Sequence, residues 1–113
     1  MHEMSIAGAV VDTAIKHAAG RRVTLVTLRA GTLRQVVPDS LEFYFGFMTR
    51  DTVCEGARLE LEVVPARLAC CEREWEIDWP DFRCPHCGEA ASLIAGNELE
   101  VESIEVEEAA CTA

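Results

Sequence analysis

Four of the six cysteines in this 113-residue chain are gathered into Cys70-Cys71 and Cys84-Pro85-His86-Cys87-Gly88, and the chemistry these residues suit is metal binding. Two residues between thiolates let the intervening backbone N–H groups curl toward the sulfurs, and glycine after the second permits the turn. Cys84 and Cys87 therefore read as a zinc knuckle. A redox dithiol would instead want a buried strand before the cysteines and a helix opening at them, and the Gly88-Glu-Ala-Ala that follows is brief.

Cys70-Cys71 is an unusual second half. A knuckle normally has two or more residues between its thiolates, and adjacent side chains in extended chain point to opposite sides. Twelve residues lie between Cys71 and Cys84, a usual length for the hairpin joining two knuckles, so Cys71 is the expected third ligand. Cys70 reaches the ion only from a sharply turned backbone; failing that, His86 or an acidic side chain completes the tetrahedron. A closed thiolate site offers no position for water, so the expected zinc is structural, adding on the order of 10 kcal/mol to folding. Trp75, Trp79 and Phe82 lie between the two halves and are expected to form a small apolar patch beside the ion.

The opening Met1-His2-Glu3-Met4 holds a second candidate. A terminal amine, the His2 imidazole and neighbouring amide nitrogens can present several nitrogens in a plane, a geometry that suits Ni(II) or Cu(II) better than zinc. The residues alone leave open whether His2 is a ligand or part of a frayed terminus. Cys54 is expected to be a buried packing thiol, Cys111 a free thiol in the tail, and His17 a solvent-facing residue.

These candidates must be positioned by the elements around them. Ile6, Val10, Ala14, Ile15 and Ala18 recur at helical spacing from Ser5 to about Ala19, with Gly20 as the stop. Arg22-Val-Thr-Leu-Val-Thr-Leu-Arg29 is dense in β-branched residues and reads as a buried strand. Pro38 opens a second helix running to about Arg50, with Leu41, Phe45 and Met48 as its core stripe and Phe43, Tyr44 and Phe47 widening the apolar surface. Arg58–Val64 alternates apolar and charged residues, and Glu98–Val106 nearly does, slipping phase between Val101 and Ile104. The order predicts an α+β fold, two helices on a three-stranded mixed sheet with an inserted zinc-ribbon-like module. Residues 1–66 with 98–113 form one domain and 67–97 the zinc-binding insert, which has too little apolar sequence for a core of its own.

The net charge of −10 excludes general affinity for nucleic acid or anionic membranes, both of which need a basic surface. No apolar run is long enough to span a bilayer and the N-terminus has no signal-peptide pattern, so a cytoplasmic protein is expected. A reducing compartment in turn favours metal-bound thiolates over three disulfides. No phosphate-cradling loop, nucleophile motif or HExxH helix argues for an enzyme.

Taken in order, MHEMSIA, RVTLVTLRAGTL, VPDSLEFYF, DTVCEGARLELE, the CPHCG insert and GNELEVESIEVE resemble the HypA/HybF family of hydrogenase nickel-insertion proteins across nearly the whole chain. The resemblance implies a nickel metallochaperone serving [NiFe] hydrogenase, with a maturation GTPase and the hydrogenase large-subunit precursor as partners; a monomer or weak homodimer is expected. Nickel, as transferred cargo, maps onto His2, with Glu3 and the Met1 amine as neighbours. Structural zinc maps onto Cys84 and Cys87 and, less closely, Cys71 and Cys70, because the first half departs from the family's knuckle. Two other readings are a zinc-ribbon interaction module that transfers no metal and a thiol oxidoreductase using Cys84 and Cys87.

Overall fold

The computed structural model describes residues 2–78 and 80–107; Met1, Trp79 and Cys111, each assigned a role above, lie outside them. Helix α1 spans Glu3–Ala18 and ends where Ala19 and Gly20 both take positive φ. Helix α2, Pro38–Met48, has proline in its first turn. Strands β1 (Val23–Gly31), β2 (Arg58–Val64) and β6 (Leu99–Val106) form one sheet in the order β2-β1-β6, parallel between β1 and β2 and antiparallel between β1 and β6. This is the three-stranded mixed sheet that the sequence predicts. A second sheet, which the sequence reading did not resolve into strands, is built from β3 (Ala66–Cys70), β4 (Arg73–Ile77) and β5 (Ser92–Ala95) in the order β4-β3-β5, antiparallel throughout.

The main core lies between the helices and one face of the mixed sheet. Ile6, Val10, Ala14 and Ala18 are buried as their spacing demands, joined by Ala7 and Val11. Ile15 is an exception, exposed at the flank of the helix, because the buried stripe is centred on the 7–11–14–18 side. On α2, Leu41 and Phe45 are buried while Tyr44 and Met48 are half-buried against the same core. Phe43 and Phe47 stay exposed.

The phase slip in β6 is a bulge. Thr27 pairs with Ser103 and Leu28 with Val101, so Glu102 is the extra residue, and Leu99, Val101, Ile104 and Val106 all meet the core. A second irregularity between Val23 and Leu25 lets both Val23 and Val26 point inward, three positions apart. The other face of the sheet is polar: Arg29 lies 3.2 Å from Glu100 and 3.5 Å from Glu62. A hydrogen bond with Glu62 raises the pKa of the Glu102 carboxyl.

The two sheets meet at the end of β1. The chain leaves β2 at Val64 for β3 and returns from β5 to β6, and both crossings pass Gly31. The Gly31 N–H donates to the Glu98 carbonyl at 2.8 Å, and the Leu33 N–H to the Gly96 carbonyl at 3.0 Å. A Cβ on Gly31 would land on the Gly96 carbonyl, and one on Gly96 would run into the Ala66 backbone. Gly96 also has φ +109, a conformation costly for any other residue. The result is elongated, 65 × 29 × 17 Å with a radius of gyration of 17.9 Å, against about 13 Å for one compact domain of this length.

Gly96→Ala is expected to lower stability by roughly 2 kcal/mol, read as a fall in the urea midpoint. Gly46→Ala, in α2 with open space at its Cβ position, is expected to raise stability by about 1 kcal/mol.

Candidate metal centre

Strand β3 ends at Cys70 and β4 begins at Arg73, with Cys70 paired to Arg73. Only Cys71 and Glu72 lie between them, at φ 54 and φ 60. Two successive left-handed residues make the tight hairpin turn whose twist matches that of the flanking strands. This turn answers the objection to adjacent cysteine ligands: the chain reverses between them, and the two sulfurs lie 3.7 Å apart. Neither residue is glycine, so each bears a cost on the order of 1 kcal/mol. Strain of this kind is often held at functional sites.

The opposing half is a knuckle. Arg83 and Ala90 form an isolated bridge; within it the Cys84 N–H donates to the Glu89 carbonyl at 2.7 Å and the Gly88 N–H to the Cys84 carbonyl at 2.8 Å. Gly88 takes φ +78, the role its place after Cys87 suggested. The His86 N–H donates to Cys84 Sγ at 3.4 Å. His86 thus serves through its backbone, and the four cysteines suffice without its ring.

Cys70 Sγ lies 3.7 Å from Cys87 Sγ, and the sulfurs of Cys70, Cys71, Cys84 and Cys87 all fall within 4.8 Å of one another. This cluster can hold a metal ion. Cys84 is buried, Cys70 half-buried, and Cys71 and Cys87 are exposed. Backbone N–H groups of Cys87 and His86 stabilise the Cys84 thiolate, bringing its pKa down to about 6. The Cys70 thiol, hydrogen-bonded to Cys84, Cys87 and Cys71 in that order of effect, is pushed up to about 12. Without an ion the cluster therefore shares protons unequally, and metal binding must release those that remain.

Little else sustains this sheet. Ala66 and Leu68 are buried, and Trp75, opposite Leu68 in register, is half-buried. Phe82 is 39% exposed, so the expected apolar patch rests on Leu68 and Trp75 more than on Phe82.

His2 sits at the other candidate site. It is exposed and caps α1, its carbonyl accepting from the Ile6 N–H at 3.1 Å. The Glu3 carboxylate accepts from the Val37 N–H at 3.2 Å; that bond, ahead of other influences, holds its pKa below the usual carboxylate value. His2, Glu3, Met4 and Ser5 line an open depression with Tyr44 of α2, a residue whose place in the sequence marks it only as apolar surface. Of the remaining candidates, Cys54 is fully buried in the core, with its thiol pKa raised by that burial. His17 is exposed.

Fold and site together define a small α+β protein with a four-cysteine metal-binding loop. A family model described as "Hydrogenase/urease nickel incorporation, metallochaperone, hypA" matches residues 1–106. The chain belongs to this family, one of metallochaperones rather than enzymes. It is 48% identical to hydrogenase maturation factor HypA of Geobacter metallireducens over 110 residues, covering 95% of this chain and 100% of that one. It is 44% identical to the protein of the same name from a Roseiflexus species, over 96% and 94% of the two chains. The solution structure of the Ni metallochaperone HypA from Helicobacter pylori superposes with a TM-score of 0.70 over 94% of this chain and 97% of that one, at 21% identity, a likeness of fold. No helix among the described residues is long and apolar enough to cross a membrane.

Glu72→Gly is expected to relieve the turn and stabilise the metal-free protein by about 1 kcal/mol, read by denaturant unfolding. In the metal-free protein one thiolate is expected to titrate with a midpoint of about 6. Its ultraviolet absorbance should appear as pH rises through that value and be absent from Cys84→Ser.

Proposed function

We propose that this protein is a nickel metallochaperone that takes Ni(II) at its N-terminus and passes it to the active site of a [NiFe] hydrogenase during maturation. Membership of the nickel-incorporation family over residues 1–106 is the observation that carries this reading. His2 is the principal nickel ligand, with the terminal amine of Met1 and Glu3 beside it. Nickel is cargo, so its ligands must let go, and an exposed His2 at the rim of an open depression suits an ion that arrives and leaves.

The four cysteines fit zinc. A tetrahedral ion with Zn–S bonds of about 2.3 Å sets its sulfurs about 3.8 Å apart, close to the 3.7 Å separations of Cys70 from Cys71 and Cys87. Soft thiolates are the donors such an ion prefers. Cys70, Cys71, Cys84 and Cys87 would hold it, and its contribution would be structural, fastening β3 and β4 to the knuckle in residues 67–97. A maturation GTPase and the hydrogenase large-subunit precursor are the partners this function requires, and the cytoplasm is where they would meet.

A second reading, an interaction module that carries no nickel, draws on Phe43 and Phe47, exposed at 69% and 57% on one side of α2. Metal analysis and calorimetry on the untagged protein separate the two. The wild type is expected to hold one zinc per chain and to bind Ni(II) reversibly, while His2→Ala keeps its zinc and loses nickel. Equal nickel binding by both proteins would overturn the carrier reading in favour of the interaction module.

A further inference from the structure

Of the residues lining the depression at the N-terminus, four are consecutive, His2 to Ser5, and one comes from elsewhere: Tyr44 of α2. The depression, about 460 Å³, has room for an ion with part of its hydration shell. Tyr44 is held firmly. Its ring packs against the main core and stands edge-on to Phe43, with centroids 5.4 Å apart and planes at 76°. Its hydroxyl makes no hydrogen bond among the described residues. The Glu3–Val37 hydrogen bond ties the start of α1 to the residue preceding α2, so the His2 segment and the Tyr44 helix are fastened to each other.

A histidine that binds a metal through one ring nitrogen usually donates its other N–H to a nearby acceptor, which fixes the ring's orientation and strengthens the ligand. The side-chain acceptors around this depression are Glu3, Ser5 and Tyr44. Glu3 has one carboxylate oxygen engaged at Val37 and stands beside the ion in the proposed site, and Ser5 is an exposed residue on the same segment as His2. Among the described residues lining the depression, Tyr44 alone combines a phenolic oxygen that makes no hydrogen bond to another described residue with a ring packed by tertiary contacts.

We infer that Tyr44 is a positioning residue of the nickel site, its phenolic oxygen accepting the remaining imidazole N–H of His2 when the ion is bound and its ring walling one side of the depression. The inference rests on the proposal that His2 binds nickel, and it adds a residue from the second helix to a site otherwise confined to the terminus. Nickel binding would then be felt by α2 as well as by α1.

Calorimetric Ni(II) titrations of wild type, Tyr44→Phe and His2→Ala, all untagged, test it alongside NMR of the tyrosine ring, the only tyrosine in the chain. Tyr44→Phe is expected to weaken nickel binding by about tenfold with metal-free unfolding unchanged, and the wild-type ring signals should shift on adding Ni(II) but not in His2→Ala. If His2→Ala loses nickel while Tyr44→Phe binds it as tightly as wild type, the inference about Tyr44 falls and the carrier reading stands. If His2→Ala binds nickel normally, both fall. Should Tyr44→Phe be destabilised, the wild-type ring signals decide: unmoved by nickel, they overturn the inference.

Discussion

Strand β1 is the constraint on which the rest of the molecule depends. It is hydrogen-bonded on both edges, to β2 in parallel and to β6 antiparallel, and its Val23, Val26, Leu28 and Ala30 are all buried. A central strand of this kind pairs its backbone on both sides along most of its length and gives both helices one apolar surface to cover. The two bulges opposite and within it keep that surface continuous where strict alternation would turn a valine or isoleucine to water. Its final residue, Gly31, lets the chain cross twice within backbone contact, and those crossings are the stem of the second sheet.

Beyond that stem the source of order changes. The mixed sheet is held by area: two helices bury a continuous apolar stripe, worth roughly 25 cal/mol per Å². The second sheet buries few large side chains, Leu68 foremost among them, and its two ends are gathered by four sulfur atoms. The turn at Cys71 and Glu72 adopts an unfavourable backbone to bring Cys70 into the cluster, a cost that an ion held by the four sulfurs would offset.

The N-terminus is organised differently again. His2 belongs to no core and to no sheet; it is positioned because α1 begins immediately after it and because Glu3 reaches across to the start of α2. A residue at the cap of a well-packed helix has a fixed place without being enclosed. The four-sulfur cluster, by contrast, gathers four thiol donors within 4.8 Å of one another, an arrangement that can hold a metal ion.

Much of this was legible in the residues. Hydrophobic period located both helices and the two outer strands of the mixed sheet, because burial on one face writes itself as spacing, and a density of β-branched residues located the central one. The phase slip between Val101 and Ile104 marked the bulge at Glu102, and the CPHCG motif marked the knuckle, because both depend on neighbouring residues. Three things waited for the tertiary structure. Cys70 joins the cluster through two left-handed residues with no glycine to announce them. Ile15 falls outside the core because the buried stripe is set by where α2 and the sheet press on α1, which spacing leaves uncertain by one residue. Tyr44 comes to line the same depression as His2 because two helices distant in sequence pack side by side, and no local pattern records which residues such packing brings together.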